Sequence, residues 1–245
     1  MNTVLYCNKQ STRTQASAGQ PETDALVVTD RTKVKRVADR AAYDRALVHA
    51  ILDEAFVCHL GIATERGPVV IPTSYGRDGE VLYIHGSPAS RLLRNLKAGI
   101  ELCCTVTLID GLVLARSTLH HSINYRSVVL FGTATVVEDP DEKAAALACF
   151  VEHVVPGRTA HARPASAKEV RGTLVLALPI EEASAKVRTG GPVDEPEDYE
   201  LAVWAGELPF RSVTDVPITD PNAPFAVPVP EHVTTWHRPV RSVSN

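Results

Sequence analysis

Residues 81–96, VLYIHGSPASRLLRNL, hold the side chains of this chain best suited to chemistry. An apolar strand pattern ends at His85-Gly86-Ser87, and a short helix opens at Pro88-Ala89-Ser90-Arg91. The join gathers the hydroxyls of Ser87 and Ser90, a glycine, the free N–H groups of a helix start and the permanently charged fork of Arg91. That set suits a phosphate. Ordinary helix capping beside a solvated arginine would use the same residues, so spacing alone leaves both readings open.

Two further groups stand out. In SINYRSVVLFGTA (Ser122–Ala134), Tyr125, Arg126 and Ser127 sit where a polar loop turns into a buried strand. Gly132 in mid-strand signals a bulge or a close backbone approach. In EASAKVRTGGPVDEPED, Lys186 and Arg188 place two cations just before Gly190-Gly191-Pro192, and Trp204 follows in AVWAGELPF. That tryptophan either plugs the end of a barrel or contacts a ligand. The histidines point less clearly to a site. His59 alternates with apolar neighbours in a strand. His120 and His121 are adjacent, so in extended chain they face opposite ways. HExxH, GxSxG, GxGxxG and Walker spacings are all missing, which argues against zinc hydrolysis, a serine esterase and Rossmann or P-loop nucleotide binding.

The elements that must position these groups are read from periodicity. Residues 38–55 are helical, with Asp44 as cap. Phe56–Thr64, Pro68–Gly76 and Glu80–Gly86 read as consecutive strands, turned at Arg66-Gly67 and Asp78-Gly79. A short helix covers 88–98. Two strands, IELCCTVTLI and LVLARST, are separated by Asp110-Gly111, and RSVVLFGTATVVED reads as one long strand. Residues 140–154 are helical with Pro140 in the first turn, and 172–182 is the last clear strand. About six antiparallel strands with short helices predict a mainly β protein built as a small barrel.

The totals bound the class. With 245 residues and 44% hydrophobic content, one domain of roughly 200 residues can bury a core. A net charge of -4 argues against nucleic acid as partner. Five cysteines without a CxxC pair fit a reducing, cytoplasmic setting, and no apolar run reaches the ~18 residues of a membrane span. Residues 1–35 read as a disordered extension, with a weak transit signal as the other reading of its polar first part. Residues 36–209 read as the folded domain. Residues 210–245 read as a Pro-rich tail running extended over the surface.

In order, ILDEA, CHLGIA, VVIPTSYGRDG, LYIHGSPASRLLRNL, DGLVLARSTLHHSINYRSVVLFG, GRTAHARPAS, SAKVRTGGP and VWAGELP resemble the pyridoxamine 5′-phosphate oxidase-like flavin-binding superfamily, over about Arg36 to Pro209. The branch resembled is that of nitroimidazole-resistance reductases and flavin-nucleotide-binding proteins. The resemblance implies a split β-barrel homodimer holding FMN at the subunit seam. Val70, Ile71, Pro72 and Thr73 would run beside the ring. His85, Gly86, Ser87, Ser90 and Arg91 would hold the ribityl phosphate. Tyr125, Arg126 and Ser127 would line the seam, and Lys186, Arg188 and Trp204 would close the site. It implies an FMN-dependent oxidoreductase acting on a small organic molecule by hydride transfer, with His85 near the flavin. Other readings are a flavin-binding redox sensor, a deazaflavin coenzyme in place of FMN, or a haem held by His59, His85 or His120. The vitamin B6 oxidases carry a basic residue at each end of the strand along the flavin. Here that strand reads VVIPTSY, and Arg211 is the nearest stand-in for their C-terminal substrate arginine, so oxidation of pyridoxamine phosphate is not implied.

Overall fold

The computed structural model describes residues 24–238. After the two-residue strand β1 (Ala41–Ala42), Asp44 starts the first helix by accepting the Leu47 N–H at 2.7 Å. Helix α1 (Arg45–Glu54) buries Val48, Ile51 and Leu52. β2 (Val57–Thr64) and β3 (Gly67–Ser74) form a hairpin, and Gly67 takes the positive φ of its turn, +106°. β4 (Gly76–Asp78) and β5 (Val81–Gly86) form a second hairpin, turned at Gly79 with φ +54°. Both turns lie where the sequence places them. Helix α2 (Arg91–Lys97) follows β5, shorter than the 88–98 read from sequence.

The next strands depart from the sequence reading. β6 (Leu102–Leu114) is one continuous strand, and Asp110-Gly111 is an irregularity in it rather than a turn. Two forces keep it going. The Asp110 carboxylate is held by Arg126 at 2.7 Å and 2.9 Å. Gly111 lets a late strand cross: a Cβ there would lie 2.7 Å from the Leu208 carbonyl oxygen. β7 (Ser122–Gly132) stops where one long strand was expected, and β8 (Thr135–Val136) joins the other sheet. At Gly132, where the chain changes sheets, a Cβ would meet Leu178 Cδ1 at 3.1 Å, so the glycine marks a close approach.

Helix α3 (Pro140–Val154) is capped by Asp139 and matches its sequence assignment. α4 (Ala167–Gly172) carries a Ser166/Glu169 capping box. Residues 174–188 then form two strands instead of one, β9 (Leu174–Pro179) and β10 (Glu182–Arg188). β10 escaped notice because its buried residues Ala183, Ser184 and Ala185 are small and give little apolar period. β11 (Gly206–Pro209) adds to the far end of β6.

All pairings are antiparallel, in a seven-stranded sheet ordered β1-β10-β7-β6-β2-β3 with β11 on β6, and a four-stranded sheet ordered β4-β5-β9-β8. The fold is the mainly β split barrel expected, with eleven strands among the described residues, several of them very short, in place of about six. The main core unites α1 with Leu60, Leu82, Ile84, Leu96, Leu130 and Leu178. Residues 24–35, assigned to the extension, are packed: Leu26 is buried and Arg31 pairs with Glu101 and Glu182. The rest of that assignment, and its transit reading, lie outside the described residues. No helix among the described residues is long and apolar enough to cross a membrane.

Candidate functional site: a cleft between β3, β5 and α2

β3 is the edge of the large sheet, and it exposes a run of apolar side chains on both faces. Val69 is 37% exposed, Val70 62% and Ile71 40%. An uncovered apolar edge is a liability that folded proteins cover. On one side of this edge lies a cleft of about 1130 Å³, which is at the upper end of ligand-pocket sizes. Ile62, Val69 and Ile71 supply an apolar wall, while His85, Gly86, Ser87, Ser90 and Arg91 line the opposite side.

The end of β5 and the start of α2 are held locally. The Ser87 hydroxyl oxygen accepts the Ala89 N–H at 3.2 Å, and the Ser90 hydroxyl oxygen accepts the Leu93 N–H at 3.5 Å. The capping reading of these serines is therefore realised. Each hydroxyl proton remains available to a ligand. At Gly86 a Cβ would come within 2.9 Å of Leu93 Cδ1, so the missing side chain lets α2 pack against β5. His85 stacks edge-on to Phe150, 4.4 Å between ring centres. Burial pushes its pKa below the ordinary value, so the imidazole is neutral at pH 7.

Arg91 and Arg66 both reach this cleft, and neither forms a hydrogen bond or ion pair through its side chain among the described residues. Two guanidinium groups give the open cleft positive charge; Glu65 is the one acid in the lining. Arg66 was read only as a turn residue, and its place in Arg66-Gly67 carried no signal of a ligand.

The cleft brings together Ile71, Pro72, Thr73, His85, Gly86, Ser87, Ser90 and Arg91. Val70 faces the opposite side of β3. The remaining candidates lie elsewhere, and Arg126, Ser127, Lys186 and Arg188 are engaged within the chain. Arg126 sits between Asp110 and Glu54, with Nη2 2.9 Å from Glu54 Oε1, and the two carboxylates raise its pKa. Arg188 is buried and donates to the Gly190 and Gly191 carbonyls at 2.9 and 3.0 Å and to Asn124. It shapes the glycine turn. Lys186 donates to the Arg36 carbonyl at 3.0 Å, and Ser127 to the Lys186 carbonyl at 3.2 Å. Tyr125 is half-buried on β7, and Trp204 is 68% exposed, plugging nothing. A second hollow, of about 620 Å³, has its charges met, because Arg45 pairs with Asp24 and Glu80.

The histidines divide by partner. His120 lies 3.7 Å from Asp194, whose carboxylate already accepts the Arg116 backbone N–H and side chain at 3.1 Å each. His121 Nδ1 lies 3.0 Å from the Ser117 carbonyl, which can only accept. In the neutral ring this contact puts the proton on Nδ1 and the lone pair on Nε2. His59 is exposed on the outer face of β2.

Comparison with known proteins fixes the family. The profile of the family described as pyridoxamine 5′-phosphate oxidase matches residues 44–187. The chain belongs to the pyridoxamine 5′-phosphate oxidase family. Within it, the chain is similar to the flavocytochrome Anf3 from Azotobacter vinelandii. They share 43% identity over 85% of this chain and 97% of that one, with a TM-score of 0.81. It is also similar to the FAD and heme binding protein from Mycobacterium smegmatis, at 36% identity over 80% and 96% of the two chains, TM-score 0.77. A candidate 5-nitroimidazole antibiotic resistance protein from Bacteroides thetaiotaomicron shares 26% identity over 60% and 86%, TM-score 0.52. No curated protein matches the chain significantly.

Proposed function

We propose that this chain is a redox protein that holds a flavin nucleotide in the cleft between β3, β5 and α2 and also takes a haem. The observation that carries the reading is the pair of unpartnered arginines, Arg66 and Arg91, facing an apolar wall across a cleft roomy enough for a dinucleotide. The likeness to a flavocytochrome over 97% of its length supports the double cofactor. The cleft would accept FMN, and a relative that binds FAD favours the larger nucleotide. Two phosphates would also use two arginines.

Arg91 and Arg66 would hold phosphate oxygens by charge-assisted hydrogen bonds, with the Ser87 and Ser90 hydroxyl protons beside Arg91. Ile62, Val69 and Ile71 would exclude water from one face of the ring. His85, neutral and half-buried, can donate or accept one proton at the cleft wall. A haem needs an imidazole nitrogen that the protein has left open, and a held second nitrogen orients the ring. His121 meets both conditions and His59 the first; the Nδ1 of His120 makes no hydrogen bond among the described residues but is buried 3.7 Å from Asp194. When bound, the flavin supplies hydride and single-electron transfer, and the haem single-electron transfer. Nitroimidazole reduction has the weaker support, a 26% identical relative.

The reading includes a homodimer. Val70 on the outer side of β3, with Val57, His59 and Ile109, leaves an exposed sheet face that a second copy would cover. Tyr125 and Ser127 would then reach the seam. Arg126, held by Glu54 and Asp110, would not.

The test is the absorbance spectrum of the purified protein, with mass identification of the released nucleotide. Flavin bands with a Soret band are expected, and His121→Ala should shift or remove the Soret band while sparing the flavin. Protein that takes up neither flavin nor haem overturns the reading.

A further inference from the structure

The loop between β6 and β7 and the linker after β10 meet over one buried carboxylate. The Asp194 side chain has no exposed surface. It accepts the Arg116 backbone N–H and guanidinium at 3.1 Å each, and the Ser117 N–H at 3.4 Å. The Arg116 guanidinium is held in turn, 4.7 Å over the Tyr199 ring. Burial works to raise the Asp194 pKa, but these donors outweigh it and set the pKa below its ordinary value, so the group is an anion. A carboxylate has about four acceptor positions, so three donors leave roughly one for another partner.

His120 faces that carboxylate. Its Nδ1 lies 3.7 Å from Asp194 Oδ1, too far for a hydrogen bond, and this buried atom has no hydrogen-bond partner among the described residues. The backbone holds the residue there: the His120 N–H donates to the Ser117 carbonyl at 3.2 Å, in the same turn whose Ser117 N–H donates to Asp194. Asp198, on the helical turn Pro196–Glu200, brings a second carboxylate. One ligand atom from each of His120, Asp194 and Asp198 lies within 4.8 Å of the others. The Asp198 carboxylate makes no hydrogen bond among the described residues.

We propose that His120, Asp194 and Asp198 bind a divalent transition-metal ion of the zinc(II) class, which ties the loop before β7 to the linker after β10. Distance favours a metal over a direct ion pair. A protonated imidazole would close on the carboxylate to about 2.8 Å. Ligands ~2.1 Å from a tetrahedral metal stand roughly 3.4 Å apart, near the separation seen here. Charge agrees. Asp194, Asp198 and Glu195, whose carboxylate lies 4.0 Å from His120 Nε2, face the single guanidinium of Arg116. Three anions against one cation leave the surplus that a divalent ion neutralises. Arg116 fixes the orientation of the Asp194 ligand from behind. The imidazole sets the metal class, since magnesium and calcium prefer oxygen alone. Three protein ligands leave a fourth position to water. None of these residues lines the cleft, so the site stands apart from the flavin reading.

The test uses the full chain with its cofactors, freed of metal by a chelator and titrated with zinc chloride in a calorimeter. One equivalent should bind and the thermal transition should rise with zinc, while the same concentration of magnesium should leave it in place. X-ray absorption at the zinc edge should show nitrogen and oxygen neighbours without sulphur. Asp198→Asn alters a carboxylate that holds nothing else, so the metal-free variant should unfold where the metal-free parent does. Its zinc affinity should be at least tenfold weaker, and His120→Gln should weaken zinc likewise. Zinc held as tightly by Asp198→Asn would be adventitious binding at other histidines and overturns the site. A sulphur shell from a cysteine, or no zinc uptake, overturns it too.

Discussion

The molecule holds two sets of arginines that look alike in sequence and differ in the folded chain. In the network under β7, Arg126 is divided between Asp110 and Glu54, and Arg188 between two glycine carbonyls and Asn124. In the cleft, Arg66 and Arg91 have no such partners among the described residues. A buried cation must be met by its own chain, since leaving it unpaired is costly. A cation at an open cleft costs little and keeps its hydrogen-bonding capacity for a ligand. The first set therefore serves stability, and the proposed function gives the second to binding.

The largest effect that separates them is expected at Arg126. Arg126→Ala leaves Glu54, which is 7% exposed, without its partner and should cost about 3–5 kcal/mol of stability in urea unfolding. Arg91→Ala should do the reverse. Flavin affinity should fall by about 1.5–3 kcal/mol in a fluorescence titration, with stability within about 0.5 kcal/mol. Arg188→Lys removes the fork that spans Gly190 and Gly191 and should cost about 1–3 kcal/mol of stability. Unchanged flavin binding in that variant would sharpen the division, and lost binding with intact folding would break it.

The smallest effect is a pH slope. Burial lowers the pKa of His153, whose ring donates to the Ala55 carbonyl at 2.8 Å, and of His85. The unfolded chain then binds protons that the folded chain refuses. The stability of neutral burial is complete above about pH 6.5 and is lost as pH falls below it toward the lowered folded value. Unfolding measured at pH 7.5 and 5.5 should show that loss, and His153→Gln should reduce it.

Much of this was legible in the sequence. The helix at 140–154, the Asp44 cap, the turns at Gly67 and Gly79 and the strand-to-helix join at His85–Arg91 are local patterns, and local chemistry fixes them. The failures are all long-range. Asp110-Gly111 has the letters of a turn, yet Arg126 and the crossing of β11 hold it inside a strand. β10 is buried through alanines and a serine that carry little apolar signal. Arg126 and Arg188 were legible as cations, but their partners Glu54, Asp110 and Asn124 lie 72, 16 and 64 residues away. Arg66 was missed because only the folded hairpin carries it to the cleft.

Backbone amide exchange with and without FAD tests the central claim most directly. Slowed exchange is predicted across residues 66–73 and 85–93, the two walls of the cleft. Exchange unchanged in both segments while the flavin is bound would contradict it.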